Sequence, residues 1–255
     1  MIGLFKKVLV FSLMFIFLIY SYFAKLLIRD SFKRLVFYTK NTSFFSKVFL
    51  KICNIKVNIK NNINIDNKKG CLIVSNHLSY IDAICLSALT PSVMLSTKEV
   101  QTTPILGWFA YFGGSIFIER RDKNTLLDDL DKIKDILGKN FKIIFFPEGT
   151  TSDGNSVLPF KSPLFKTAVS SKVDVIGLCI KYKMINSEPF NSKNKDLICY
   201  YGDMQFWPHF VKFLKAKKIL VEIKQACFIA SDKNLNRKEI HTCTYNSILS
   251  EYNLN

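Results

Sequence analysis

The sequence predicts an α/β fold, in which a mixed β-sheet is flanked by helices and preceded by an N-terminal membrane-associated helical segment. From about residue 55, short β-branched runs alternate with amphipathic runs, as in α/β domains. Seventeen uncharged residues from Val8 to Ala24 are just long enough to cross a bilayer. We therefore expect residues 1–52 to form a hydrophobic anchor with basic amphipathic helices, and residues 53–255 to form the α/β domain.

The predicted elements follow from hydrophobic period and turn residues. The predicted strands are Ile55–Ile59, Cys71–Ser75, Val93–Ser96, Ser115–Ile118, Lys142–Phe146, Val173–Tyr182, Leu197–Tyr201 and Ile219–Ile223. The predicted helices are Tyr80–Leu89, Asn124–Leu137, Ser162–Ser171, Phe206–Ala216 and Arg237–Tyr252. The polar, turn-rich residues 183–196 are predicted to be an exposed loop.

The N-terminal segment is predicted to be an uncleaved anchor. Bulky aromatic residues stand where a signal peptide would need small residues for cleavage. The stretch Lys25–Lys51 mixes apolar and basic residues, which predicts an interfacial amphipathic helix with a break near Asn41–Ser43. We expect either a single span or a shallow helical hairpin in the inner membrane, with the catalytic domain facing the cytosol. A buried core helix over residues 8–24 is the alternative.

The charge of the chain calls for an anionic partner. The net charge is +16, and residues 1–60 hold eleven Lys or Arg against a single acidic residue, Asp30. This excess lies within the most apolar part of the chain, a combination that favours an anionic membrane surface. We expect no nucleic-acid partner, because no zinc-finger, KH or RNP-like motif is present. The seven cysteines form no CxxC pair, so reduced thiols are expected rather than a zinc site or disulfides.

The strongest candidate for a catalytic group is His77, which follows the predicted strand Cys71–Ser75. At neutral pH an imidazole can take a proton from a hydroxyl and return it to a leaving group. A carboxylate on the other ring nitrogen fixes the tautomer, and Asp82 is placed for this if the chain turns at Ser79. Ser79 and Asp82 equally resemble a helix capping box, so both interpretations of Asp82 stay open.

Two further segments carry candidate binding residues. Phe145–Gly154 leaves a strand at Pro147 and enters a loop with Glu148, Gly149 and Thr150, which suits a polyhydroxy ligand. Gly113–Arg121 brings Arg120 to a strand end, where its guanidinium suits phosphate. Lys98 is a weaker candidate for the same anion. Each segment taken alone is also compatible with an ordinary turn or an ion-paired surface residue.

In this order the segments resemble the glycerolipid acyltransferase family, typified by bacterial 1-acylglycerol-3-phosphate (lysophosphatidic acid) O-acyltransferases. Asn76-His77-(x)4-Asp82 matches the NHx4D motif, Gly114–Arg120 the second block, and Phe146–Ser152 the third. Two departures are Gly177, where the fourth block usually has a proline, and Ser162-Pro163, where members often show x-Gly after Phe-Lys.

The resemblance implies the fold, the reaction and the roles of the residues. His77, oriented by Asp82, would deprotonate the sn-2 hydroxyl of 1-acylglycerol-3-phosphate as it attacks an acyl thioester, forming phosphatidic acid. Acyl-CoA or acyl carrier protein would bring the acyl group, and no metal or other cofactor would be required. Arg120 and Lys98 would hold the phosphate of the lysophospholipid acceptor, while Glu148, Gly149 and Thr150 would line the glycerol site.

Three alternatives stay open. The acceptor would be another lysolipid, such as lyso-ornithine lipid, if no phosphate is bound. The chain would otherwise be a non-catalytic, basic membrane-associated scaffold. A metal-dependent hydrolase using His77, Asp82 and Glu148 is the third, and the absence of an HExxH motif disfavours it.

Overall fold

The computed structural model describes residues 2–66, 69–119, 123–161 and 163–254. Its helices are α1 (Ile2–Leu27), α2 (Ser31–Ile52), α3 (Tyr80–Leu89), α4 (Lys98–Thr102), α5 (Leu106–Phe112), α6 (Lys123–Gly138), α7 (Phe165–Ser171), α8 (Phe206–Phe213) and α9 (Arg237–Asn253). Its strands are β1 (Ile55–Ile59), β2 (Cys71–Ser75), β3 (Val93–Thr97), β4 (Ile116–Ile118), β5 (Lys142–Phe145), β6 (Asp174–Ile185), β7 (Glu188–Pro189) and β8 (Ile219–Ile229).

The strands form one mixed sheet in the order β1-β8-β6-β2-β5-β3-β4, with β7 paired to β6. β6 pairs with β8 and β7 in antiparallel fashion, and the remaining neighbours are parallel. The central strands β2 and β5 are buried along their whole length, which explains why they are continuous apolar runs. This architecture confirms the predicted fold class.

Helices cover both faces of the sheet and build a separate core on each. One core includes Phe49 of α2, Ile81 of α3 and Phe213 of α8, packed on one face. The other includes Ile133 of α6 and Phe165 of α7, together with residues of α9. Burial of these apolar side chains on both faces holds the parallel strands, and therefore their carboxyl ends, in fixed positions.

The N-terminal residues form two helices packed on the domain. α2 starts at Ser31, where Asp30 caps it by accepting a hydrogen bond from the Lys33 N–H at 2.7 Å. The break predicted near Asn41–Ser43 is wrong, because α2 continues to Ile52. The polar side chains there have partners outside the helix: Asn41 donates to Ser21 of α1 at 2.9 Å, and Thr42 donates to the Gly113 carbonyl at 3.2 Å. The division of the chain at residue 52 stays a prediction.

α1 presents a narrow buried stripe and a broad exposed apolar face. Val10, Phe17, Ser21 and Ala24 recur at helical spacing and are buried against the protein. The opposite face exposes large apolar side chains, among them Leu4, Phe5, Val8, Phe15, Ile16, Phe23, Leu26 and Leu27. Residues Gly3–Leu27 are long and apolar enough to cross a membrane by length and composition.

Two further local predictions differ from the structure, and two short helices were missed. Leu197–Tyr201 is not a strand: a 3-10 turn at Lys195–Leu197 leads into irregular chain, where the Tyr200 N–H donates to the Leu78 carbonyl at 2.9 Å. Residues 183–196 are not all loop, because β6 runs to Ile185 and turns back into β7. The short helices α4 and α5 were not predicted.

Candidate active site

The sheet topology brings the candidate motifs to one edge. β2, β5, β3 and β4 are parallel neighbours, so their carboxyl ends lie side by side. His77 follows β2, Glu148 follows β5, Lys98 follows β3, and Arg120 follows β4 in sequence. Crevices at the carboxyl ends of strands are the usual ligand sites of α/β sheets. Arg120 itself lies outside the residues that the structure describes.

His77 and Asp82 form a hydrogen-bonded pair at the start of α3. His77 Nδ1 lies 3.0 Å from Asp82 Oδ2, and the same oxygen accepts the N–H groups of Leu78 at 2.6 Å and Ser79 at 2.8 Å. Since a carboxylate oxygen only accepts, Nδ1 carries the proton and Nε2 is left as the basic nitrogen. The capping box is also formed, with Ser79 as the N-cap residue. Asp82 therefore both caps α3 and orients the imidazole.

The third block holds the His77 ring and backbone from the other side. The Phe146 ring lies parallel to the imidazole at 3.8 Å between centroids, with 8° between planes. The His77 N–H donates to Glu148 Oε1 at 2.8 Å, and the His77 carbonyl accepts from the Ser152 N–H at 2.9 Å. The His77 side chain is 18% exposed while that of Asp82 is fully buried. The imidazole is thus fixed and accessible.

Glu148 is buried beneath this arrangement. Its second oxygen accepts the Leu158 N–H at 3.1 Å, so the carboxyl group ties two loops to each other through backbone amides. Burial raises the pKa of Glu148 to about 8 against the two amide hydrogen bonds, which lower it. Gly149 and Thr150 line the cavity next to His77. The contact of Glu148, Gly149 and Thr150 with a glycerol group stays a prediction.

Lys98 lies at the first residue of α4 with nearly half of its side chain exposed. Its Nζ is 3.9 Å from Glu119 Oε2. An exposed ion pair of this length contributes little to stability, so Lys98 is available to an approaching anion. The roles of Lys98 and Arg120 in phosphate binding stay predictions.

An apolar cavity of about 500 Å³ opens beside His77. Its walls come from α1, α2, α3, β3, α4, α5 and α8, and include Leu13, Met14, Phe17, Phe45, Phe49, Tyr80, Ala83, Ile84, Met94, Val100, Leu106, Phe109, Ala110, Phe206 and Phe210. Among the described residues that line it, no side chain is a Lys, Arg, Asp or Glu. The cavity therefore suits a hydrocarbon chain whose reactive end lies at the imidazole.

The helices α1 and α5 were missed as walls of the site. The Phe17 and Phe109 rings stack at 5.9 Å, which joins the N-terminal segment to α5. A Cβ on Gly107 would lie 2.1 Å from the Gln101 carbonyl oxygen, so the close packing of α5 on α4 requires glycine. The apolar run Trp108–Phe112 was the available signal, but seven residues are too short to reveal a helical period.

Comparison with known proteins agrees with the motifs. The model of the Acyltransferase family matches residues 56–181. Lyso-ornithine lipid O-acyltransferase of Rhizobium meliloti is 31% identical over 183 residues, which are 69% of this chain and 63% of that protein. The 1-acyl-sn-glycerol-3-phosphate acyltransferase of Neisseria meningitidis is 30% identical over 117 residues, 46% of each chain. The first of these alignments thus spans less than two thirds of the relative's length.

The fold also has a solved counterpart. The crystal structure of PlsC, the 1-acyl-sn-glycerophosphate (LPA) acyltransferase from Thermotoga maritima, superposes with a TM-score of 0.64. The superposition covers 97% of this chain and 96% of that one, at 18% identity. The architecture, including the N-terminal helices, is therefore shared. The superposition shows the shared fold, and the match of residues 56–181 to the Acyltransferase family model confirms the resemblance that the motifs indicate.

Proposed function

We propose that this protein transfers an acyl group from an acyl thioester to the free hydroxyl of a lysolipid. The observation that carries this proposal is the position of the His77–Asp82 pair at the head of an apolar cavity of about 500 Å³. This volume lies within the range of about 300–1,000 Å³ that is usual for small-molecule sites.

The geometry supports general-base catalysis. Asp82 holds the Nδ1 proton, so Nε2 takes the proton of the acceptor hydroxyl as its oxygen attacks the thioester carbonyl carbon. The new C–O bond forms, the C–S bond then breaks, and the imidazolium returns the proton to the departing thiolate. A thiol has a pKa of roughly 8.5, so this leaving group needs little assistance. The reaction as proposed balances without a metal or prosthetic group.

We propose 1-acylglycerol-3-phosphate as the acceptor and acyl-CoA or acyl carrier protein as the donor. Lys98, which follows β3, and Arg120, which follows β4 in sequence, supply the positive charge for the phosphate. Lyso-ornithine lipid is the second candidate, because relatives with that activity in their names are 31% and 29% identical to this chain. An acceptor without phosphate would have no need of Arg120.

The protein acts at a membrane through α1 and α2. At one end of α1, Lys6 donates to the Ala216 carbonyl at 2.7 Å; near the other end, Lys25 lies 5.3 Å from the Tyr111 ring centroid. These contacts hold α1 along the domain over about 29 Å, from Lys6 to Lys25. Its broad apolar face is left to the lipid, and the basic residues on both helices suit anionic headgroups.

An acceptor panel tests the proposal. Purified wild type in detergent is given labelled acyl-CoA or acyl carrier protein with either lysophosphatidic acid or lyso-ornithine lipid. Phosphatidic acid as product, with a KM for lysophosphatidic acid raised about tenfold or more in Arg120→Ala, supports the phosphate assignment. Turnover of lyso-ornithine lipid but not of lysophosphatidic acid, at a rate unchanged in Arg120→Ala, identifies lyso-ornithine lipid as the acceptor. A folded wild type that acylates no lysolipid, yet still binds anionic vesicles, supports the scaffold instead. Turnover abolished by a chelator supports the metal-dependent hydrolase.

A further inference from the structure

The second oxygen of Asp82 has a partner outside the motif. The Tyr182 hydroxyl donates to Asp82 Oδ1 at 2.6 Å, across one hundred residues of sequence. The other oxygen, Oδ2, is occupied by His77 Nδ1 and by the Leu78 and Ser79 amides. Tyr182 is therefore the group that holds the far side of the carboxylate.

The strand β6, which carries Tyr182, is a scaffold for the whole motif. β6 pairs with β2 in parallel, and the Asn76 side chain bonds the backbone of Ile180 in both directions, at 2.9 and 2.8 Å. Ile180 and Tyr182 thus anchor the first and the last residue of the NHx4D motif. This double attachment indicates that β6 sets the position of the pair rather than merely packing against it.

The titratable groups around Asp82 determine whether Tyr182 can act as a hydrogen-bond donor to it. Other titratable groups interacting with Asp82 are Glu148, Cys85, Cys199 and Tyr252. Burial raises the pKa of each of them, and it raises the pKa of Tyr182 as well. The thiols and phenols are therefore neutral near pH 7, and Tyr182 acts as a neutral donor to the carboxylate. Hydrogen bonds to an ionised group are stronger than neutral ones, so this bond stabilises the ionised carboxylate of Asp82.

We propose that Tyr182 is a positioning residue for the His77–Asp82 pair, and that its hydrogen bond sets the pH range in which His77 is an unprotonated base. This inference rests on the proposed function. The hydroxyl shares the negative charge of Asp82 and so weakens its attraction for a protonated imidazole. Without the hydroxyl, the imidazolium is held more strongly and His77 loses its proton at a higher pH.

The test is Tyr182→Phe, which removes the hydroxyl and keeps the ring that packs near Phe190. We expect the acid limb of the kcat/KM profile to move up by about half a pH unit. We expect kcat to fall about tenfold, with KM for both substrates within about twofold. The matched control is Tyr252→Phe, which removes a partly buried hydroxyl that donates to the Gly154 carbonyl at 2.7 Å. An unshifted profile in Tyr182→Phe, or an equal shift in Tyr252→Phe, overturns the inference.

A titration without substrate separates this inference from the proposed function. The chain has three histidines, and the His77 ring signals are assigned by their loss in His77→Gln. NMR of histidine-labelled full chain follows the His77 midpoint in wild type and in Tyr182→Phe. A fluorinated tyrosine installed at position 182, a stronger donor, is expected to shift the midpoint in the opposite direction. Shifted midpoints in a protein without acyl transfer retain the role of Tyr182 and reject the function. Acyl transfer by the wild type, with the same His77 midpoint in wild type and in Tyr182→Phe, retains the proposed function and rejects the role of Tyr182.

Discussion

The two ends of the cavity are held by different forces. At the polar end, His77 is fixed by hydrogen bonds to its ring nitrogen, its amide and its carbonyl, and by the Phe146 ring. At the apolar end, α1, α2 and α5 meet through aromatic contacts such as Phe17 with Phe45 and Phe109. Hydrogen bonds fix atoms within a fraction of an ångström, while packing sets a volume. We therefore expect the polar end to determine the reaction and the apolar end to determine which acyl chain fits.

The largest effect on activity is expected at the polar end, from a change at Asp82. Asp82→Asn keeps the shape but loses the charge and the preference for the Nδ1 proton, so we expect kcat to fall about a hundredfold to ten-thousandfold. Because Asp82 also caps α3, Ser79→Ala is the control: it removes the Ser79 cap oxygen and leaves the carboxylate. Ser79→Ala is expected to lower the free energy of unfolding by about 1 kcal/mol and to retain most of the activity. Equal kinetic losses in both variants would mean that Asp82 acts through the helix cap alone.

The apolar end is tested by narrowing the cavity. Ala110→Phe places a ring in the wall formed by α5, so kcat/KM for long-chain donors is expected to fall about tenfold relative to short-chain donors. Competition between two labelled donors of different length measures this ratio directly. The short donor is the internal control, since it reports on an unaltered His77. A loss that is independent of chain length would contradict the assignment of the cavity to the acyl group.

A further prediction concerns the stability of the folded protein, and it follows from the raised pKa of Glu148. The pKa of Glu148 is raised from 4.5 to about 8 in the folded protein. The unfolded chain therefore releases its proton at a lower pH, and the free energy of unfolding falls as pH rises from about 4.5 to about 8. The total fall is on the order of a few kcal/mol.

The glutamine in Glu148→Gln cannot ionise. We therefore expect the thermal midpoint of this variant, relative to that of wild type, to rise as the pH rises from about 4.5 to about 8. The altered hydrogen bonds to His77 and Leu158 add a constant offset, which does not depend on pH. A difference between the two midpoints that stays flat from pH 5 to pH 8 would contradict the raised pKa.

The polar end was largely predictable from the sequence and the apolar end was not. His77 and Asp82 lie five residues apart on one turn, so local spacing reports their contact. The partner of Asp82 lies far away in sequence: Tyr182 is the ninth residue of the twelve-residue strand β6, between Lys181 and Lys183, and no motif marks it. The cavity walls come from seven helices and strands, and their meeting depends on tertiary packing that no periodicity shows.

The wrong predictions of local structure also arise from tertiary packing that the local sequence does not show. The polar residues Asn41 and Thr42 indicated a break in α2, but neighbouring helices supply their hydrogen-bond partners. Leu197–Tyr201 has the composition of a strand, yet it lies outside the sheet, where the Tyr200 N–H donates to the Leu78 carbonyl. Tertiary context overrode local preference in both places.

The most direct test of the account is single-turnover acyl transfer to a lysolipid by wild type, His77→Ala and His241→Gln. His241 is the matched control, since its Nε2 lies 3.0 Å from the Phe160 carbonyl oxygen, away from the cavity walls. We expect wild type and His241→Gln to form product at similar rates. In folded His77→Ala we expect the rate to fall more than about a hundredfold. A rate in His77→Ala equal to that of wild type would contradict the assignment of His77 as the base.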